Sequence, residues 1–318
     1  MVVKDSFVYN CWNFLSTFQG AAHISISNLK ASNVFTSTYS QKFISINPSA
    51  SAIPNLTLLV ENSSFSDMKL TPIFFQSGSN SIVSISTSSF SSTGCPAHLN
   101  LTSDVVVVSN CTFENSFQLF FFTQNASYAP NISVASCNFG VAAGLYTNAP
   151  ISLYSSTFIN NTGVEYYSTL DNRAFNVFNV AFLNFNRIAF QALSSSSVHK
   201  NRVNIVSSNF TRQSSDVSTI ALFFSTVNLI DSNVQGFFFC ESSSIFVDGS
   251  PSFKPDNRSC ASCAFYGETS CPGTRNAGLI VGMVFLAIIL TSLLAGAVVY
   301  FIRKRGVGGR AGGYEEVN

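Results

Sequence analysis

From residue 58 to residue 234, pairs of apolar residues two positions apart recur, and each pair is followed five residues later by an aromatic or aliphatic anchor. The anchors are Phe65, Phe90, Phe113, Phe139, Phe158, Phe182, Phe210 and, with Val in place of Phe, Val234. Seven and five residues before them stand Leu58/Val60, Val83/Ile85, Val106/Val108, Ile132/Val134, Ile151/Leu153, Phe175/Val177, Val203/Ile205 and Val227/Leu229. Two residues before them stand Ser63, Ser88, Cys111, Cys137, Ser156, Val180, Ser208 and Ser232, all small or medium. Phe7 and Phe35 read as weaker copies near the N-terminus.

Residues two apart share one face of a strand. Each copy therefore predicts two short strands, and the odd step from the pair to the small residue predicts a bend between them. Successive anchors lie 25, 23, 26, 19, 24, 28 and 24 residues apart. Several short strands per period of about 24 residues predict a parallel β-solenoid over residues 1–250. Neighbouring coils would pair at about 4.8 Å, stacking like residues into a Phe ladder, two aliphatic ladders and a small-residue ladder. A β-sandwich would not require the same phase eight times, and a propeller blade needs roughly 40–50 residues.

The pattern stops at residue 250. Residues 251–277 are rich in Pro, Gly and Cys and read as a juxtamembrane stem. Residues 278–302, GLIVGMVFLAIILTSLLAGAVVYFI, contain no charge and are followed by Arg303, Lys304 and Arg305. At about 1.5 Å per residue, such a stretch crosses a hydrocarbon core of roughly 30 Å as one transmembrane α-helix. The basic tail, 303–318, belongs in the cytosol by the positive-inside rule, which makes this a type I plasma-membrane protein. Gly278-x-x-x-Gly282 is a helix-packing pattern common in membrane spans. Tyr314 and Val317 form a YxxΦ sorting motif, whose Tyr is also a candidate for phosphorylation. No apolar signal segment opens the chain, so a signal and further coils are expected upstream, or else the span itself directs insertion.

Two features agree with an extracellular 1–277. Sequons head at Asn55, Asn62, Asn100, Asn110, Asn125, Asn131, Asn160, Asn209 and Asn257, all before the span. So do all eight cysteines, an even number that reads as disulfides on the oxidising side. Cys111 and Cys137 share one ladder position in adjacent coils, close enough to bridge; a bridge is expected there, with buried free thiols in the same ladder as the alternative. Cys240, Cys260, Cys263 and Cys271 are expected to form two local disulfides of unspecified pairing. Cys11 and Cys95 have no assigned partner.

Charge changes the picture mainly by what it excludes. Only 10% of residues are charged, and without the tail twelve basic and thirteen acidic residues remain, a net of −1. That leaves no electrostatic footprint for nucleic acid. No pattern calls for a cofactor or metal. Polysaccharide cleavage needs paired carboxylates or clustered acids with a base. Asp67, Asp104, Asp171, Asp216, Asp231 and Asp248 are instead scattered over the coils. His23, His98 and His199 stand alone and read as solvated loop residues. Asp171-Asn172-Arg173 is the best polar constellation, and a turn explains it equally well.

The strings VENSSF, STSSF, VSNCTF, ASCNF, YSSTFINN and VSSNF resemble coils of right-handed parallel β-helix proteins of the pectin-lyase-like type. Phe7-Val8-Tyr9-Asn10 and Phe158-Ile159-Asn160-Asn161 are also similar to the FxxN half of the repeat in chlamydial-type polymorphic surface proteins, although the GGAI half is missing. The resemblance implies a right-handed parallel β-helix. The expected function is a non-catalytic adhesion or recognition surface for an extracellular protein or glycan, with self-association among the candidates. A passive coat is the alternative, and a polysaccharide-active enzyme comes last.

Overall fold

A computed structural model describes residues 2–9, 16–18, 23–34, 42–46, 55–76, 80–102, 104–123, 130–168, 174–185, 188–194, 200–212, 218–249, 254–255 and 257–267. The described strands form three all-parallel sheets, of twelve, ten and eleven strands. The chain visits the first, second and third sheet in turn and repeats, so each strand pairs with strands one coil away. This is a parallel β-helix. Residues Met1–Thr269 form one compact unit.

The repeat register holds from coil to coil. Phe65 pairs with Phe90, Phe90 with Phe113, Phe113 with Phe139, Phe139 with Phe158, Phe158 with Phe182, Phe182 with Phe210 and Phe210 with Val234. Their rings stack inside the coil with centroids 4.3–5.2 Å apart from Phe65 to Phe210. The aliphatic pairs stack likewise on the first sheet, as Val83 on Leu58 and Ile85 on Val60. Period-two alternation places these residues inside and Ser, Thr and Asn outside.

The bend between the first two sheets has a specific cause. The residue three before each anchor takes a left-handed conformation: Asn62, Thr87, Asn110, Ser136, Ser155, Asn179, Ser207 and Asp231 have φ of 44–54°. Asn and Asp tolerate this region better than other side chains. Its N–H still bonds the next coil, as from Thr87 to the Ser109 carbonyl at 3.0 Å. The small residue that follows turns inward. Its hydroxyl donates to the carbonyl two residues back (Ser63 to Glu61, Ser88 to Ser86, both 2.8 Å). It also accepts an N–H from the previous coil, as from Ser63 to Ser88 Oγ at 3.2 Å. The small-residue ladder is thus a hydrogen-bonding device that satisfies buried backbone at the corner.

Three expectations need correction. In the first two coils the inward residues on the second sheet are Val8 and Ala31, which align with each other and then with Phe65. Phe7 is 69% exposed and pairs with Lys30. A one-residue shift moves a side chain to the other face, and the FxxN reading placed Phe7 one residue out. Phe35 lies outside the described residues. Cys111 and Cys137 do occupy neighbouring ladder positions, but both are buried free thiols, so no bridge forms. They do the work of the serines: each thiol lies 3.3 Å from the carbonyl two residues back, on Ser109 and Ala135. Burial and the Cys111 sulfur both push the Cys137 thiol up, its bond to Cys111 contributing most. His23 and His98 are strand residues, not loop residues.

The solenoid also continues past the end of the Phe pattern. Lys254–Pro255 and Ala264–Gly267 extend the third and first sheets, and a short helix, Asn257–Ser262, lies between them. Cys240–Cys263 is a disulfide with Cα atoms 6.2 Å apart, and Cys260 is disulfide-bonded as well. Cys11, Cys271, Asn125, Tyr314, Val317 and the 278–302 span lie outside the described residues. Among the described residues, no helix is long and apolar enough to cross a membrane.

Candidate functional site

Two outward features form the longest runs on a surface of mostly Ser, Thr and Asn, which also exposes Ile82, Val105 and Val107 and a Tyr154–Phe178 stack at 5.4 Å. The first is a row of rings on the third sheet. Phe74, on the strand Thr71–Gln76, aligns with His98 on Ala97–Leu101, which aligns with Phe120 on Gln118–Thr123 and then Tyr146 on Gly144–Thr147. Their centroids are 5.4, 5.7 and 5.3 Å apart. Phe117 and Phe122 flank the row, 6.1 Å from Phe120 and 6.4 Å from Tyr146. Lys42 Nζ lies 3.0 Å from the Phe74 ring centroid, a cation–π cap at one end. Glu165, in register with Tyr146, bounds the other end. Burial lowers Lys42 and lowers His98, and Lys42 lowers His98 further, so His98 is a neutral ring near pH 7. Burial, with Glu165 and Tyr167, raises the Tyr146 phenol.

The second feature is a column on the first sheet. Ser152, Asn176, Asn204 and Asn228 align outward on successive coils, followed by Phe246 and Tyr266. Asn228 Nδ2 donates to Asn204 Oδ1, and Asn204 Nδ2 to Asn176 Oδ1, both at 2.8 Å. Asn176 Nδ2 donates to Ser152 Oγ at 3.3 Å. The column then changes type. Phe246 and Tyr266 stack at 4.7 Å, and both are exposed. Asn228 Oδ1, with a ring rather than an amide on the next coil, accepts no hydrogen bond among the described residues. A cavity of about 300 Å³ opens here beside Asn228, Phe246, Asp248 and Tyr266. Gly267 also lines it; with φ of 106°, a Cβ there would strike the Val247 carbonyl.

A second hollow, about 490 Å³, lies at the turn from the second to the third sheet, beside Lys69, Thr93, Cys95, Asn115 and Phe117. The Cys95 thiol is pushed up to about 12, chiefly by burial, so it offers no thiolate nucleophile there.

The sequons fall on different parts of the coil. Asn55, Asn62, Asn110, Asn131 and Asn160 are exposed. Asn28 and Asn179 occupy the same left-handed turn position as Asn62 and Asn110 without heading a sequon, so backbone demand alone accounts for Asn there. Asn209 is half-buried and accepts from Asn233 Nδ2 at 3.0 Å. Asn100 lies beside the aromatic row, two residues from His98 and in register with Phe122. Asn257 starts the short helix. From Ile151–Tyr154 onward, no sequon falls on a strand of the first sheet.

The acids remain dispersed. Asp104 is buried and accepts the N–H groups of Ser81 at 2.8 Å and Thr102 at 2.7 Å, a structural role. His23 begins a strand and is exposed. Asp171, Asp216 and His199 lie outside the described residues. Among the described residues, no group of three or more His, Cys, Asp or Glu could hold a metal ion. The chain matches no protein-family model, curated protein or solved structure with which it was compared.

Proposed function

We propose that this chain is a single-pass type I plasma-membrane glycoprotein whose β-helix presents a non-catalytic recognition surface, centred on the C-terminal end of the first sheet. The observation that carries this reading is the change in the outward column from amides to rings at Asn228, Phe246 and Tyr266, beside a cavity. A solvent-exposed amide oxygen, the Asp248 carboxylate and exposed rings are suited to a ligand with hydroxyl groups and an apolar face. That is the chemistry of an extracellular glycan. The membrane anchor and its orientation rest on residues 278–302 and the basic tail. Right-handed winding is the hand expected of parallel strand crossovers.

A passive coat is the second reading, favoured by an outer surface made mostly of Ser, Thr and Asn. The test is cell binding by a soluble 1–277 fragment secreted from a glycosylating host with a heterologous signal peptide. Saturable binding that free sugars compete, and that Phe246→Ser with Tyr266→Ser abolishes, supports recognition. A folded, glycosylated fragment that binds neither cells nor itself supports the coat.

A further inference from the structure

We propose that the aromatic row on the third sheet is covered by the chain's own N-linked glycan, joined at Asn100. This rests on the glycoprotein reading above and gives one of the nine sequons a structural role.

Asn100-Leu101-Thr102 is a sequon inside a strand. Leu99 and Leu101 are buried, so alternation turns Asn100 outward, and it is half-buried among its neighbours. It aligns with Phe122 on the next coil and Gln76 on the previous one. His98, two residues earlier on the same face, donates from Nε2 to Asn100 Oδ1 at 3.1 Å. Nδ2, the atom that would carry the sugar, has no hydrogen-bond partner among the described residues. The contact with His98 uses only Oδ1 and survives linkage.

The chemistry of the occupant matches the row. A pyranose has an apolar C–H face, and an aromatic ring has an electronegative one. The first sugar on Asn100 starts within reach of Phe122, which is 36% exposed, and of the His98 ring. Phe74 is buried under Lys42, and the exposed rings are Phe117 and Phe122, at 60% and 36%; exposed rings left bare on a secreted protein invite association. By contrast, the turn position of Asn62 and Asn110 is lined on adjacent coils by Asn28, Thr87 and Ser136, with no ring. Linkage forms the bond from Nδ2 to the sugar C1 and breaks the C1–O bond to a lipid-diphosphate donor, which leaves with the amide proton. It occurs on the extended chain, before the strand pairs.

The test uses the full chain expressed behind a cleavable signal sequence in glycosylating cells. Glycopeptide mapping reads occupancy, and peptide-N-glycosidase reads access. The expected result is an occupied Asn100 released roughly two- to tenfold more slowly than Asn62 and Asn110 in the folded protein, with the difference lost after denaturation. That comparison needs no variant. Phe122→Thr should bring the Asn100 rate towards the others, whereas Tyr154→Thr on the first sheet should not. An unoccupied Asn100 beside occupied Asn62 and Asn110, or equal release rates, overturns the inference alone. No glycan at any sequon overturns the glycoprotein reading and this inference with it.

Discussion

On the third sheet the outward rings run unbroken through four coils, from Phe74 to Tyr146, with a cation at one end and a carboxylate at the other. On the first sheet the corresponding column is an amide run only from Asn176 through Asn204 to Asn228, and it turns aromatic at its C-terminal end. Both follow from in-register parallel stacking, which places like beside like. A uniform column uses most of its own capacity: rings stack on one another and leave only the flanking Phe117 and Phe122 exposed, and each amide donor meets the next acceptor. Free valences remain where the column changes type. That is why the short Asn228–Phe246–Tyr266 step is a better candidate for ligand chemistry than the longer row.

The comparison can be broken first from inside. Phe158 is fully buried and stacked between Phe139 and Phe182, at 4.3 and 4.9 Å. Phe158→Ala should cost about 3–5 kcal/mol in chemical unfolding. Both outer faces should lose their order together, because one core supports them. A ladder whose two faces melted separately would refute a shared core.

The amide column comes next. Asn204 both accepts and donates within it, and Asn204→Thr keeps a strand-forming residue while removing both bonds. The expected loss is about 1–2 kcal/mol. The aromatic row should be unaffected, as read by near-ultraviolet circular dichroism.

Cys137→Ser is a milder change. Serine fills this ladder position in most coils, so the cost should stay below about 1 kcal/mol. Stability of the parent chain should not respond to a reductant that leaves Cys240–Cys263 intact. A large loss on mild reduction would restore the Cys111–Cys137 bridge.

The smallest effect is a pH dependence. Burial lowers His98 below its ordinary 6.5, so the unfolded chain binds the proton more readily than the folded one. The stability this contributes is complete above pH 6.5 and is lost as pH falls through 6.5 towards the folded value. His98→Gln should flatten that part of the profile, measured by urea midpoints at about pH 7.5 and about pH 5.5.

The interior was largely legible from the sequence, because a strict period of two and a fixed distance to Phe leave few alternatives. From Phe65 to Val234 every anchor sits where the pattern put it. The third sheet was not legible: its strands, such as Thr71–Gln76 and Gly144–Thr147, follow the anchor at variable distances and carry no common residue. The aromatic row therefore became visible only through register. Phe74, His98, Phe120 and Tyr146 are separated by unequal intervals, and nothing in a linear reading aligns them. The first-sheet amides Asn176, Asn204 and Asn228 do recur six residues before their anchors, so that column is written in the sequence. At the N-terminus residue type and phase disagree, because Phe7 is the larger side chain but lies one residue out of phase with Phe65. Val8 and Ala31 keep the phase with smaller side chains.

The most direct measurement is cell binding by the soluble 1–277 fragment, comparing Phe246→Ser/Tyr266→Ser with Phe120→Ser/Phe122→Thr. The account predicts that the first pair abolishes sugar-competed binding and the second leaves it intact. Binding lost only through the aromatic row, and retained without Phe246 and Tyr266, would contradict it.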